Sequence, residues 1–261
     1  MKICILGSGS KGNAIYLESR GTALLIDQGF SHTEMKKRLE SRGLDEGKIK
    51  GIIVSHEHID HMKGVGITAR KLDVPVYGTS GTLNGKAKIF NDGEDGETLV
   101  PIESGVLLKL DPFEILPFSV SHDANEPVQF CINSGKKKVT TATDLGFVST
   151  LVEQCLKNSD LVVIEANHDV NMLRNGPYSW ELKQRIMSRM GHLSNRNAAE
   201  TLFNITSQNG NPQAVLAHIS EENNHPELAE KEVRELFESF DRRLRSLIIS
   251  SQSEATPILE L

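Results

Sequence analysis

The sequence has no long apolar run, little cysteine, no linker and no excess of positive charge. Its longest apolar stretches, such as Leu161–Ile164 and Ile52–Val54, fall far short of the roughly 18 consecutive apolar residues of a membrane helix, so no bilayer-spanning segment is expected. The first apolar run, Ile3–Leu6, breaks at Gly7-Ser-Gly-Ser10, too soon for the apolar region of a secretory signal. Cys4, Cys131 and Cys155 are an odd, scattered set without C-x-x-C spacing. That argues against a disulfide framework or a thiolate zinc site, and predicts reduced core thiols in a cytoplasmic protein. Gly/Ser-rich or Pro-rich linkers, low-complexity segments and internal repeats are absent, so one domain spanning 1–261 is expected. The formal charge is 29 − 35 = −6. A polyanion would therefore need a local positive site. What is present, 38% hydrophobic and 25% charged residues, is enough apolar surface for a packed core and excludes a mostly disordered chain.

Strand-like segments dominate, with helical patterns between them. Lys2–Leu6, Ala14–Leu17 and Ala23–Asp27 read as short strands joined by Gly-containing turns. Further strands are predicted at Gly51–Ser55, Val74–Tyr77, Val106–Leu110, Phe113–Ser121, Val128–Asn133, Lys137–Ala142, Leu161–Glu165, Ala214–Ala217 and Ser246–Ile249. Ser31-His-Thr-Glu34 is a capping-box pattern opening an amphipathic run that stops at Gly43, and helical patterns fill 147–157, 178–190, 195–208 and 226–239. Hairpins followed by αβ units, twice over, predict two mixed layers rather than one doubly wound parallel sheet. Gly-Glu-Asp-Gly at 93–96 is expected to be a loop.

Directly after the strand Gly51–Ser55 comes His56-Glu-His58-Ile-Asp60-His61, four good ligands in six residues. Alternation along the departing strand puts His56 and His58 on one side, and a tighter turn then aims Asp60 and His61 at a second point. Imidazole nitrogen and carboxylate oxygen together suit zinc, manganese or iron. Two ions need more than four ligands, and the sequence offers Asp27, His122, Asp144 and His218, each at a strand end. Any one alone would more often be a surface or capping residue; jointly they make a metal-ligand pattern. Gly7-Ser-Gly9-Ser-Lys-Gly12 is a literal G-x-G-x-x-G after a strand. The next residues, Asn13-Ala-Ile-Tyr-Leu-Glu18, are β-like, where a dinucleotide site requires a helix N-terminus. Two readings of this loop stay open: a plain turn, or a loop at Gly9, Ser10 and Asn13 that leans over the metal site and touches a substrate phosphate.

The H-x-H-x-D-H run, a third His, an acid and a last His occur in the order found in the metallo-β-lactamase superfamily, which the chain resembles over nearly its whole length. Closer still, Gly7–Asn13, Glu165-Ala-Asn-His-Asp169, Gly191-His-Leu-Ser-Asn195 and His218-Ile-Ser-Glu-Glu-Asn-Asn224 resemble the bacterial YycJ (WalJ) branch of nuclease-like hydrolases. The resemblance implies a single-domain α/β fold, the αββα sandwich, with the site along one edge of its paired sheets. It implies two divalent ions (zinc, manganese or iron), one held by His56, His58 and His122, the other by Asp60, His61 and His218, with Asp144 bridging. The implied activity is a metal-dependent phosphodiesterase, a nuclease with DNA as its partner, working as an exonuclease from a 5′ end.

Departures within the superfamily narrow this. No Cys stands where common zinc β-lactamases replace the bridging acid, and His58 stands where flavo-diiron relatives have Glu. The 74 residues from Asp144 to His218 are too few for the inserted domain of RNase J-type relatives, and the 22 from His122 to Asp144 for the tRNA-gripping arm of tRNase Z. Two other readings stay open: a small cyclic-nucleotide or phosphonate-type phosphodiester as substrate, since no dedicated nucleic-acid arm exists, and a non-catalytic regulatory binder, against which the complete ligand set argues.

A departing sugar oxygen needs a proton. His192, the only His between His168 and His218, precedes Ala198-Ala199 as in the tRNase Z-like arrangement, which casts it as the proton donor paired with Glu165. The alternative is a His that caps or packs a helix junction. Asp60 is expected to serve catalysis as well as ligation. Asp27 is expected to accept the other N–H of a ligand imidazole, fixing its tautomer. His168 and Asp169 read equally as site-lining and as capping or core residues. Arg185, Arg189 and Arg196 are candidates for contacts to backbone phosphates, whereas His32 and His225 are expected on the surface.

Overall fold

Several strands are apolar at nearly every position, a pattern that only a sheet covered on both faces satisfies. Leu161–Glu165 and Gln213–Ala217 are buried throughout. In the computed structural model, which describes residues 1–85, 89–90, 98–206 and 211–261, these strands belong to two mixed seven-stranded sheets. Numbered in chain order, the first sheet runs β14 (Leu259–Glu260), β1 (Lys2–Gly7), β2 (Ala14–Ser19), β3 (Thr22–Ile26), β4 (Ile49–Ile53), β5 (Val76–Gly78), β6 (Leu99–Pro101). The second runs β13 (Ser246–Ile249), β12 (Gln213–Ala217), β11 (Leu161–Glu165), β10 (Lys137–Ala142), β9 (Val128–Ser134), β8 (Phe113–Ser119), β7 (Leu108–Leu110).

Alternation along the strands sorts side chains into three apolar layers. Ile3 and Ile5 share the layer between the sheets with Ile132 and Val163. Cys4 and Leu6, pointing the other way, pack with Met35 and Leu39 of α1 (His32–Glu40) and Val65 of α3 (Val65–Leu72). On the far side, Val162, Ile164 and Leu216 pack with Val152 of α5 (Thr150–Leu156), Leu202 of α8 (Asn195–Ile205) and Phe237 of α9 (Pro226–Ser239). Burying each such side chain stabilises the fold by about 1.5–3 kcal/mol. The three thiols are buried and unpaired. The layers are therefore α, β, β, α.

Helix starts follow the expected capping chemistry, with one difference. Ser31 Oγ accepts the Glu34 N–H at 3.2 Å. The Glu34 carboxylate, however, takes the Arg38 Nε–H at 2.7 Å instead of closing the box. The pattern at 178–190 yields only α7 (Trp180–Ile186), because Pro177 and the Ser179 cap fix its start. The strand expected at Val106–Leu110 is reduced to Leu108–Leu110, and the one at Phe113–Ser121 stops at Ser119. Helices α2 (Ile59–Met62), α4 (Ser80–Gly85) and α6 (Val170–Asn175), together with α3, β6 and β14, had no expectation. The predicted loop at 93–96 and the last two positions of 195–208 lie outside the described residues. His32, expected on the surface, is buried, with Nε2 3.6 Å from Glu46.

Strand direction decides where the chemistry lies. β3 and β4 run parallel in one sheet, and β10, β11 and β12 run parallel in the other. β8 is antiparallel to β9, which is antiparallel to β10, so β8 points the same way as β10. The segments after Asp27, His56, His122, Asp144, Glu165 and His218 therefore leave their sheets at carboxyl ends, where a crevice opens.

Candidate metal centre

Three of these strand-end residues adopt the left-handed backbone region that L side chains rarely occupy: Asp27 (φ +59°), Asp144 (φ +54°) and His218 (φ +54°). Each is held there by its surroundings and turned inward, so that all three are buried. The His-rich run is clamped from below. The Asn13 N–H donates to the Asp60 carbonyl at 2.7 Å, and the Gln28 N–H to the His61 carbonyl at 2.8 Å. A Cβ at Gly29 would collide with the Asp60 carbonyl, so only glycine admits this approach.

Four overlapping groups of ligand atoms result, each with its members within 4.8 Å of one another: His56, His58 and His122; His56, His61 and Asp144; Asp60, His61 and His218; Asp144, Glu165, His192 and His218. The other nitrogen of each imidazole is committed elsewhere. The Ser55 hydroxyl donates to Asp27 Oδ2 at 2.8 Å and sits 2.9 Å from His56 Nδ1, whose N–H it accepts. The His61 Nδ1–H also reaches Asp27 Oδ2, at 2.8 Å. The Asp27 carboxylate thereby sets the tautomers of two imidazoles at once. His122 Nδ1–H donates to the Gly191 carbonyl and His58 Nε2–H to the Asp123 carbonyl, both at 3.2 Å. His218 Nδ1–H donates to Glu165 Oε1 at 2.7 Å.

With those protons placed, the inward nitrogens are lone pairs. His122 Nε2 and His58 Nδ1 face each other at 3.3 Å, two acceptors without a proton between them. His56 Nε2, His218 Nε2 and Asp144 Oδ2 are buried and have no hydrogen-bond partner. Orphaned buried acceptors are costly, and a divalent cation is the group that would satisfy several at once. The residues present therefore fit a metal centre. The electrostatics agree: burial opposes charge on His61 and His218, yet Asp144 and the neighbouring carboxylates outweigh it and raise both imidazoles well above their ordinary range. The centre is a negative well.

Residues 22–219 match the family described as beta-lactamase superfamily domain. The chain is 35% identical over 234 residues to exodeoxyribonuclease YycJ of Bacillus anthracis, covering 90% of this chain and 88% of that one. It is 37% identical over 230 residues to exodeoxyribonuclease WalJ of Streptococcus pneumoniae D39, covering 87% and 85%. The chain belongs to the metallo-β-lactamase superfamily, in its YycJ/WalJ branch. It is a metal-dependent hydrolase. The fold also aligns with the crystal structure of the metallo-β-lactamase fold protein YhfI from Bacillus subtilis, at 17% identity, 99% coverage of both chains and a TM-score of 0.75. No helix among the described residues is long and apolar enough to cross a membrane.

This superfamily site opens into a cleft of about 240 Å³ whose lining includes His58, Asp60, His122, Asp144, His192 and His218. His192 Nδ1–H donates to Glu165 Oε1 at 2.7 Å, the oxygen that also serves His218. Glu165 Oε2 accepts the Leu193 and Leu145 N–H groups at 3.0 and 3.3 Å. Burial pushes the Glu165 carboxyl up, but His192 and then His218 outweigh it and hold the carboxylate ionised. With its acceptor sites filled, Glu165 orients two imidazoles. Ser194, further along the same segment, caps α8 through the Asn197 N–H at 3.2 Å, so His192 is not the cap.

Other expected contacts are placed differently. In the Gly-rich loop, the Gly9 N–H is taken by Asn13 Oδ1 and the Lys11 N–H by Gln252 Oε1. Ser8 and Gly12 N–H groups bond to the Ser251 and Gly9 carbonyls. These amides are not available to a phosphate, and only Ser10 of this loop lines the cleft. Asn13 is turned inward, its Nδ2 3.2 Å from Asp60 Oδ2 and 3.0 Å from His61 Nε2. Of the three arginines, Arg185 alone lines the cleft. Arg189 stacks on Phe147, and Arg196 pairs with Glu200 and Glu232. His168 is buried beside α8, its carbonyl accepting the Asn195 N–H, and Asp169 caps α6. Sequence reasoning missed Ser55, whose hydroxyl relays Asp27 to His56. The polar residue at the end of an apolar strand was its only signal. It also missed Asp123, beside His122, which receives Arg185 at 2.6 Å and lines the cleft.

Proposed function

We propose that this protein is a two-metal phosphodiesterase that degrades DNA from a 5′ end. The observation that carries the reading is the convergence of imidazole lone pairs and carboxylate oxygens whose outer hydrogen bonds already fix every tautomer. His56, His58 and His122 would hold one ion and Asp60, His61 and His218 the other, with Asp144 between them. Bound divalent ions supply Lewis acidity that activates water and neutralises the charge growing on a phosphodiester. The relatives named exodeoxyribonuclease support DNA as substrate.

The chain's own residues do the rest. Asp27 and Ser55 keep His56 and His61 in the ligating tautomer, and Asn13 holds Asp60 against the Gly-rich loop. Glu165 keeps the proton on His192 Nδ1, which turns Nε2 to the cleft. Burial opposes charge on this imidazole, but Glu165 raises it above its ordinary range, so that Nε2 carries a second proton; His192 gives that proton to the departing sugar oxygen and returns to the neutral Nδ1–H form, a role worth a factor of about 10²–10⁴. The test is digestion of single- and double-stranded DNA and RNA, labelled at either end, with zinc, manganese or iron supplied in turn. Progressive loss from the 5′ end of DNA, abolished in Asp144→Ala, is expected. Loss from 3′ ends alone overturns the polarity, and hydrolysis of small phosphodiesters without DNA cleavage overturns the substrate.

A further inference from the structure

Beside the ligands, in the same cleft, stands a wall of a different kind. Tyr178, Leu182 and Ile186 line it together with Arg185, and all four come from α7 or the residues just before it. In α7, positions 182, 185 and 186 fall on one helical face. Tyr178 is presented by a fixed frame. Pro177 limits the backbone before it, Ser179 caps α7 after it through the Leu182 N–H at 3.3 Å, and Lys183 Nζ ties α7 to the Arg174 carbonyl at 2.8 Å. Among the described residues the Tyr178 hydroxyl has no hydrogen-bond partner and its ring is half-exposed, so the ring faces the cleft with nothing stacked on it.

The charge of the cleft sharpens the question of what that wall holds. Arg185 is the only Lys or Arg among the lining residues, and Asp123 already engages it through Nε and Nη2. Among the described residues lining the cleft of this chain of net charge −6, there is therefore no row of free cations of the kind by which a protein tracks a duplex backbone. A substrate whose phosphate sits at the ligand wall places its nucleoside against Tyr178, Leu182 and Ile186. The volume, about 240 Å³, lies below the roughly 300–1,000 Å³ of ordinary small-molecule pockets. It accommodates one base and its sugar.

We infer that Tyr178, backed by Leu182 and Ile186, is a stacking wall for one unpaired base beside the scissile phosphate, so that the enzyme acts on single-stranded or frayed ends with little regard to base identity. This rests on the phosphodiesterase reading above and adds the form of the substrate. Every base offers a π-face, which makes stacking sequence-tolerant, and one base on one aromatic ring corresponds to about 5- to 150-fold. The terminal pair of a duplex must open before its base reaches the wall.

The test compares kcat/KM of the metal-loaded enzyme on a single-stranded DNA oligonucleotide and on the same oligonucleotide with an abasic terminal nucleotide. The wild-type protein is expected to prefer the normal end by about 5- to 150-fold. In Tyr178→Ala that ratio should collapse toward one through loss on the normal end only, and Tyr178→Phe, which keeps the ring, should restore it. A preserved ratio in Tyr178→Ala, or equal loss on both oligonucleotides, overturns the stacking wall while leaving the nuclease reading intact. Wild-type protein that cleaves neither oligonucleotide yet hydrolyses bis(p-nitrophenyl) phosphate overturns both.

Discussion

The two walls of the cleft are built by opposite means. The ligand wall is made of side chains at or just beyond strand carboxyl ends, most of them buried and oriented by hydrogen bonds from other segments; the second wall is one short helix, α7, with no buried residue of its own. The first is rigid because the sheets beneath it are packed on both faces, and it suits chemistry that demands fixed positions. The second is supported by a cap, a proline, a lysine tether, the Arg185–Asp123 pair and the His192 N–H on the Ile186 carbonyl. It governs what is admitted. Changes in the first wall should therefore alter metal content and turnover, and changes in the second the choice among substrates.

The sharpest break in that contrast is Asp144→Ala. It should lose one or both ions, measured by inductively coupled plasma mass spectrometry, with turnover falling by orders of magnitude, while His225→Ala changes neither. Full metal occupancy and normal turnover in Asp144→Ala would remove this residue from the centre.

His192 is grouped with Asp144, Glu165 and His218, and its proposed role is that of proton donor. His192→Ala is expected to retain its metals and to lower turnover by about 10²–10⁴-fold. A substrate whose leaving group has a low pKa should recover most of the loss, since it departs without a proton. An equal defect with good and poor leaving groups would show that His192 has no proton-donor role.

A smaller effect is expected one step behind the ligands. Asp27→Ala removes the acceptor shared by Ser55 and His61 and should weaken metal affinity by about 10–100-fold, read by competition with a chelator. Unchanged affinity would mean that the imidazoles are held by packing alone.

The smallest effects belong to Arg189→Ala and Arg196→Ala. Arg189 stacks on Phe147 and Arg196 forms exposed ion pairs, so each change should cost within about 1 kcal/mol of stability in a urea titration. DNA cleavage should be unaltered. A large loss of DNA binding with either would extend the substrate path beyond the cleft.

How much of this was legible in the sequence differs between the two walls. His56 to His61 are contiguous, so the run announced itself, and the placement of His122, Asp144 and His218 after apolar strands marked them as residues leaving a sheet. Two-residue alternation and unbroken apolar runs likewise revealed the strands and the layered fold. Short helices such as α2 and α6 did not show, because one or two turns carry too little periodicity to be told from loops.

Sequence alone determined which residue types were available for a metal centre and that they stood at strand ends, since both follow from local pattern. Tertiary structure decided which nitrogen of each imidazole faces inward, because the deciding partners, Asp27, Gly191, Asp123 and Glu165, lie 27 or more residues away from the imidazoles they orient. It decided that the Gly-rich loop commits its Ser8, Gly9, Lys11 and Gly12 amides to Ser251, Asn13, Gln252 and Gly9, and that only one of three arginines reaches the cleft. Hydrogen bonds and ion pairs form between groups that folding brings together, and spacing along the chain carries no record of them.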